Sequence, residues 1–276
     1  MKKRKVVDSI VKLTIIFTGV FVIAILGIVF GYIFIKGISH FNIDFFIRLP
    51  KPVGEPHGGM VNAIVGSFIL VGIALLWSVP ISIMTGIYIA EYGKEKKYAR
   101  IIDSLLDILA AIPSIVIGIY AYAIMVKPIK TFSAISGAFA LGIIILPVVA
   151  KTTKEMLLSV PKILREAGWS LGLNNFRTIV FIVLKTAKPG IITGILISLA
   201  RIFGETAPLL FTAFGNRFWH RGLLSPIAAL PLQIFVYAIS PFEDWNNQAW
   251  LASLVLVVIV FSITILSRKL MSKYKG

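Results

Sequence analysis

The sequence contains no cysteine, and only 14% of its 276 residues are charged. The absence of cysteine excludes disulfides, thiol chemistry and zinc sites built on cysteine ligands. An ordinary soluble domain has about 25% charged and about 45–50% apolar residues. Here 58% of the residues are apolar, and the mean hydropathy is +0.92. These figures exclude a soluble domain and indicate a protein that crosses a membrane several times.

The few charges are strongly unbalanced. The 28 lysines and arginines exceed the 12 aspartates and glutamates by 16. A nucleic-acid-binding face needs its basic residues clustered on a folded soluble surface, whereas here they lie between long apolar runs. Basic residues in such positions are typical of the loops that orient membrane helices. The charge therefore indicates topology, and no nucleic acid partner is expected.

Stretches without a charged residue or a histidine predict the membrane spans, because about 20 helical residues cross the hydrocarbon core. A further apolar stretch, 189–214, is interrupted only by Arg201 and Glu205, and we expect it to span as well. Asp103 and Asp107 are expected at the start of the third helix, where the N-terminal dipole would favour them. The charge-free stretches are 13–35, 58–90, 108–126, 131–150, 222–242 and 245–267.

The stretch 222–242 is long enough to span but contains three prolines. The distribution of lysine and arginine decides between six and seven spans. Six spans with a cytoplasmic N-terminus place 20 of the 28 basic residues in the cytoplasm and 7 outside, whereas seven spans give 16 and 11. The sequence therefore predicts an all-α, polytopic membrane protein with six transmembrane helices and both termini in the cytoplasm. Residues 222–242 are expected to form a re-entrant or surface-lying outer segment.

Arg201 and Glu205 are ionisable residues inside a predicted span. Such groups cost about 2.5–3.5 kcal/mol each on insertion scales, so they usually pair and face the interior of the bundle. A spacing of four residues places both side chains on one face of a helix, where they can pair with each other. Two interpretations remain open: a structural ion pair at a subunit interface, or an arginine that meets an anion in transit while Glu205 orients it.

The longest predicted cytoplasmic connection, 151–188, contains a short amphipathic helix over about 160–174. Ser159 is placed to cap its start, with Pro161 in the first turn, and Gly172 is placed to end it. Its apolar residues recur at helical spacing on one face. This helix either lies on anionic headgroups or docks onto a cytoplasmic partner. The apolar positions are Ile163, Leu164, Ala167 and Leu171.

The same connection resembles the EAA motif of ABC-transporter permeases. It has Glu166, Ala167 and Gly168, then Gly172, and later Ile182 and Leu184 at the spacing of the motif. Two positions depart from it, since Gly168 replaces the second alanine and Lys185 replaces the final proline. In that family the segment is the coupling helix, which docks into a groove on a separate ATPase subunit. The resemblance therefore assigns Glu166, Ala167, Gly168 and Gly172 to ATPase coupling.

A second resemblance is carried by residues 200–213, which read Ala-Arg-Ile-Phe-Gly-Glu-Thr-Ala-Pro-Leu-Leu-Phe-Thr-Ala. They resemble the signature of the A-type permease subunits of ABC phosphate importers. That family commonly has an arginine after Leu-Pro-Val-Val, where this sequence has Lys151, which keeps the charge but lacks the planar guanidinium fork. Arg201, Glu205 and Lys151 are therefore the substrate-pathway candidates. Further similar stretches are 58–66, 86–92, 112–118, 146–149 and 249–250.

The resemblance implies the fold of a type I ABC importer permease. An N-terminal helix and outer loop (1–57) would precede the permease core (58–268) and a cytoplasmic tail (269–276). The implied function is import of inorganic phosphate, without enzymatic activity in this chain. The implied partners are a C-type permease homologue, two ATPase subunits and an extracytoplasmic phosphate-binding protein.

ATP and its magnesium would be bound by the ATPase partners, since this chain has no Gly-x-x-x-x-Gly-Lys-Ser/Thr sequence. No metal site is expected from His40, His57 and His220, which are not spaced as a ligand pair. Two alternatives remain: a permease for another oxyanion, such as molybdate, tungstate, sulfate or phosphonate, or a stand-alone secondary transporter.

Overall fold

The computed structural model describes residues 2–55, 58–93 and 96–273, so His57 lies outside the described residues. No strand forms among these residues; the only pairing of that kind is an isolated bridge between Phe214 and Ile227. The all-α prediction is confirmed. In chain order the helices are α1 (Lys2–Ser39), α2 (Val61–Ile87), α3 (Lys97–Ala111), α4 (Ser114–Ala121), α5 (Ala134–Leu158), α6 (Lys162–Ser170), α7 (Leu184–Phe203), α8 (Leu230–Ala238) and α9 (Glu243–Lys273).

Several helices are extended by π-helical turns or accompanied by single helical turns. Tyr88–Tyr92 continues α2, Tyr122–Val126 continues α4, and Ile179–Val183 leads into α7. The single turns are Asp44–Ile47, Lys127–Ile129, Asn175–Thr178 and Ala207–Leu210.

Within the described part of the chain, five helices are long and apolar enough to cross a membrane. The bent pair formed by α3 and the segment Ser114–Ile129 makes a sixth span if it is counted as one. With this pair counted as one span, the structure has the six predicted spans. The five continuous spans are Ile10–Ser39, Val61–Tyr92, Ala134–Leu158, Asn175–Phe203 and Glu243–Lys269.

The prediction of one continuous helix over 108–126 is wrong. The chain bends by 102° between α3 and α4, because Ile112 and Pro113 adopt extended backbone angles, with ψ of 129° and 137°. A proline has no N–H to continue the helical ladder and pushes the preceding residue towards extended conformations. The segment that contains the predicted third span therefore consists of two helices that meet at a sharp angle.

The predicted span 189–214 is wrong in its second half. Helix α7 ends at Phe203, and Gly204 caps it. The chain then leaves the helix and returns towards the bundle before α8, whose nine residues are too few to cross the hydrocarbon core. The interpretation of 222–242 as a segment that does not span agrees with this geometry.

The non-helical segment before α8 is held by the first turn of α5. The amide of Ser133 donates to the carbonyl of Thr212 at 3.0 Å, that of Ala134 to Ser225 at 3.2 Å, and that of Ile135 to Leu223 at 3.1 Å. The first N–H groups of a helix have no partner within the helix itself. The returning segment supplies those partners, and the Ser133 hydroxyl accepts from the Ser136 amide, so this helix end is fully satisfied.

Small residues on α2 allow neighbouring segments to approach it closely, as expected for packing inside a lipid bilayer. On α2, Gly66 lies against the carbonyl of Ala228, and Gly86 lies against Ala150 and Thr153 of α5. Gly72, on the same helix, has open space around it. The small-residue pattern along α2 therefore marks real contacts at Gly66 and Gly86 but not at Gly72.

Replacing Gly66 and Gly72 by alanine tests this packing on one helix. A Cβ at Gly66 meets backbone atoms of Ala228, which have little room to move, so we expect Gly66→Ala to destabilise the protein by about 1–3 kcal/mol. Gly72→Ala should be neutral or slightly stabilising, because alanine favours the helix. Thermal unfolding of the purified protein in detergent measures both. Equal midpoints for the two variants would contradict the packing described above.

Candidate functional site

Helix α6 forms within the predicted coupling segment, but it starts later than expected. The prediction that Ser159 caps its start is wrong: Ser159 caps the end of α5, and Pro161 is the residue that precedes α6. The end is as predicted, since Gly172 has a φ of +79°, which glycine adopts without strain. The amide of Leu173 donates to the carbonyl of Gly168 at 3.1 Å and closes the helix.

The apolar residues of α6, and Leu171 directly after it, are mostly exposed. Ile163 is 70% exposed, Leu171 79% and Trp169 50%, whereas Leu164 is only partly exposed. Among the motif residues, Glu166 and Ala167 are exposed and Gly168 is buried. With Phe176, which is 64% exposed, the side chains of Ile163, Trp169 and Leu171 form an exposed apolar surface, which the described residues leave uncovered.

Gly168 is the point where α6 touches the helical segment that follows it. A Cβ at this position would lie 2.8 Å from Cδ1 of Ile182 and 3.0 Å from Cγ2 of Thr178. Both atoms are at the ends of side chains, so an alanine needs only a small shift. A larger side chain would push the two segments apart.

Arg165 anchors the opposite face of α6. Its Nη2 donates to Oε1 of Glu91 at 2.6 Å, and its Nε donates to Oε2 at 3.3 Å. The same guanidinium donates to the carbonyls of Val160 at 2.7 Å and Leu157 at 2.8 Å. The side chains of Arg165 and Glu91 are only 7% and 6% exposed, so this is a buried and well-satisfied ion pair.

Sequence reasoning missed this pair. In the sequence, Arg165 is one of the 20 basic residues that orient the chain, and Glu91 belongs to the family-like stretch 86–92. The two residues lie 74 positions apart, so no local spacing connects them. The available signal was indirect: a glutamate at the end of a long apolar span in a chain with few acidic residues needs a cationic partner.

Lys151 is engaged by an ion pair between α3 and α5. Its Nζ contacts Oδ1 of Asp107, and the Nζ of Lys154 donates to Oδ2 of Asp103 at 2.7 Å. The expectation that the two aspartates sit at a helix start is wrong, because both lie well inside α3 and face the lysines of α5. Opposite charges rather than a helix dipole hold them there.

Arg201 and Glu205 pair with each other, as their spacing predicts. The Nε of Arg201 lies 3.6 Å from Oε1 of Glu205, and the two side chains are 55% and 16% exposed. Arg201 lies in the last turn of α7, whereas Glu205 lies just beyond the helix. The chain therefore presents a half-exposed guanidinium whose only ion-pair partner among the described residues is loosely placed.

The three predicted pathway residues do not form one cluster. Contacts of Gly190 with Met156 and of Gly194 with Thr152 show that α5 and α7 run antiparallel. Extending this register places Arg201 about six residues, or about 9 Å, from the level of Lys151 along the helix axes. Among the described residues, no group of three or more histidine, aspartate or glutamate side chains is arranged to hold a metal ion.

Comparisons with known proteins agree with this architecture. The family described as "Binding-protein-dependent transport system inner membrane component" matches residues 79–275. The chain belongs to this family. It is thus a membrane-spanning permease component of an ABC importer.

Relatives with a more specific name match most of this permease. "Phosphate transport system permease protein PstA" of Haemophilus influenzae is 45% identical over 233 residues, covering 84% of this chain and 82% of that protein. The PstA of Yersinia pestis is 43% identical over 240 residues, covering 87% and 81%. A probable PstA of Methanocaldococcus jannaschii is 40% identical over 207 residues, covering 75% and 73%.

A solved structure shares the fold of the permease. An inward-facing conformation of the MetNI methionine ABC transporter superposes with a TM-score of 0.62 and 16% identity, covering 78% of this chain and 93% of that chain. At this identity the likeness shows the fold alone. It agrees with the predicted type I importer permease fold.

Substitutions at Gly168 and Ala167 test how α6 is seated in this permease. We expect Gly168→Leu to detach α6 from Thr178 and Ile182, because overfilling a packed contact costs about 1–3 kcal/mol. Gly168→Ala should be tolerated, and Ala167→Leu is the matched control because Ala167 is exposed. The rate of trypsin cleavage at Lys162 and Arg177 measures the detachment. Unchanged cleavage of Gly168→Leu would refute this packing.

Proposed function

We propose that this permease carries inorganic phosphate into the cell. The main support for this proposal is the sequence identity of 43–45% to proteins named PstA, over 84–87% of the chain. The half-exposed Arg201 supports it, because a guanidinium pairs well with the oxygens of a phosphate ion. A permease for molybdate, tungstate, sulfate or phosphonate is the alternative within the family.

The proposed orientation places α6 and both termini in the cytoplasm. The positive-inside rule favours this arrangement, since 20 of the 28 basic residues then lie on that side. The alternation of spans in the fold is consistent with it, because α2 and α5 both end beside α6. Residues 204–242 would then lie at the outer end of the bundle.

The proposed complex contains a homologous C-type permease, two ATPase subunits and an extracytoplasmic phosphate-binding protein. The apolar surface formed by Ile163, Trp169, Leu171 and Phe176 is the part of the cytoplasmic face that a docked ATPase would cover. ATP and magnesium would be bound by the ATPases. Closure of the ATPases would then move α6 and open the pathway alternately to the two sides.

In this mechanism Arg201 provides positive potential for the anion in a setting of low dielectric constant. Glu205 limits the cost of holding the guanidinium there, while its separation of 3.6 Å leaves the donors of Arg201 able to meet a second anionic partner. Lys151 is less available, because Asp107 already neutralises it. We therefore assign the main contact with the anion to Arg201.

Uptake of radiolabelled phosphate by the complete complex in proteoliposomes tests the proposed substrate. We expect ATP-dependent accumulation that excess phosphate blocks and excess molybdate, tungstate, sulfate and phosphonate do not. Block by one of the other anions at lower concentration than phosphate would assign the permease to that anion. Uptake without any ATPase would instead indicate a secondary transporter.

Arg201→Ala should reduce phosphate uptake about tenfold or more, since a hydrogen bond to a charged group contributes about 1.5–3 kcal/mol and about 1.4 kcal/mol corresponds to a factor of ten. Arg48→Ala is the matched control. Arg48 also forms an ion pair across four residues, with Asp44, and is 48% exposed. Initial uptake rates at equal amounts of assembled complex measure the effect. Normal uptake by Arg201→Ala would exclude Arg201 from the pathway.

Leu171→Asp should weaken the binding of the ATPase to the permease, because it places a charge in the exposed apolar surface of the coupling segment. We expect at least about a tenfold loss of ATPase co-purified with the permease. Leu224→Asp is the control, since Leu224 is also exposed, at 60%, but lies in the proposed outer segment. Equal recovery of the ATPase with both variants would place the docking surface elsewhere.

A further inference from the structure

We propose that the buried ion pair of Arg165 and Glu91 is the joint that makes α6 move together with the inner ends of α2 and α5. This inference rests on the proposed function only in that it requires an ATPase to move α6. It assigns a positioning role to two residues outside the EAA motif. It also identifies α2 and α5 as the membrane helices that move with α6.

The joint connects three elements through one side chain. Arg165 belongs to α6, and Glu91 lies in the π-helical turn that ends the span of α2. The carbonyl of Leu157 lies in the last turn of α5, and that of Val160 lies two residues beyond its end. All three guanidinium nitrogens are used as donors. A guanidinium is planar and rigid, so contacts in several directions fix its orientation.

The electrostatic environment favours a tight joint. The carbonyls at the C-terminal end of a helix carry partial negative charge and attract a cation, so α5 and Glu91 attract Arg165 together. Both side chains are more than nine-tenths buried, so water does not compete for these hydrogen bonds. Removing one partner would leave the other as a buried unpaired charge, which is strongly unfavourable.

The apolar contacts of α6 complement this joint but do not replace it. Leu164 packs against a small cluster that includes Ala90, Leu157 and Val183, whereas Ile163 and Leu171 point outwards. Apolar packing is not directional, so it allows α6 to slide or rotate. The hydrogen bonds of Arg165 are directional, and they therefore determine whether a displacement of α6 displaces α2 and α5 by the same amount.

The test compares the phosphate transported per ATP hydrolysed by the complete complex in proteoliposomes. Glu91→Gln keeps the shape of the side chain but removes its charge. The ATPase should therefore still dock on α6, but the movement of α6 should be transmitted poorly to α2 and α5. We expect ATP hydrolysis within about twofold of the unmodified complex and a transport ratio lowered about fivefold or more. Arg165→Lys, which keeps the charge but loses the planar fork, should lower the ratio as well.

Asp103→Asn is the matched control, because the ion pair of Asp103 and Lys154 joins two helices near the same end without involving α6. Its transport ratio should stay normal. An unchanged ratio in assembled Glu91→Gln, or an equal fall in Asp103→Asn, would overturn the proposal. If Glu91→Gln does not assemble, the ratio of Arg165→Lys decides in the same way.

A second measurement does not depend on the substrate. Because this chain has no cysteine, spin labels can be attached to Ser170→Cys on α6 and Met84→Cys on α2, in a complex whose partner cysteines have been removed. The distance between the labels should stay constant between the nucleotide-free and ATP-trapped states, and it should change or broaden in Glu91→Gln. If the distance between the labels changes between these states in the complex that keeps Arg165 and Glu91, the rigid connection is disproved. If this distance stays constant but the complex takes up no phosphate, only the proposed substrate is refuted.

Discussion

The structure depends on one constraint: between apolar helices, every backbone N–H and C=O needs a partner within the protein, because lipid offers none. The helices meet this requirement by themselves except at their ends. At the start of α5, the carbonyls of Thr212, Leu223 and Ser225 accept the unpaired amides. The returning segment 204–229 is therefore held by the helix it packs against, and its place in the bundle follows from where α5 begins.

The sequence predicted which segments are apolar enough to span but not the path of the chain between them. Hydropathy measures how well a segment partitions into lipid, and both halves of the stretches 108–126 and 189–214 partition well. The presence of a proline does not predict where a helix bends either. Pro80 and Pro147 lie inside continuous helices, whereas Pro113 marks a bend of 102°. Tertiary contacts, such as that of Gly118 with Pro208, accompany the bend and are not visible in local sequence.

The candidate site likewise contains contacts that the local sequence predicts and contacts that it does not. The pair of Arg201 and Glu205 was predictable, because four residues separate the two side chains. The pairs of Arg165 with Glu91 and of Lys151 with Asp107 join residues that are 74 and 44 positions apart, so only the folded chain brings them together. The family-like motif pointed to residues 160–174 as the proposed coupling segment, and its residues Glu166 and Ala167 are exposed. The motif did not identify the buried arginine beside them, although this arginine fixes the helix in place.

The ion pairs also explain where positive potential remains available. Arg165, Lys154 and Lys151 each contact a carboxylate closely, and this neutralises most of their field at a distance. Arg201 is different, because its carboxylate is 3.6 Å away and more than half of its side chain is exposed. A loose pair lowers the cost of keeping the cation near lipid without satisfying all its donors. An anion that enters beside α7 would therefore find at Arg201 an attraction that the more tightly paired cations near α6 do not offer.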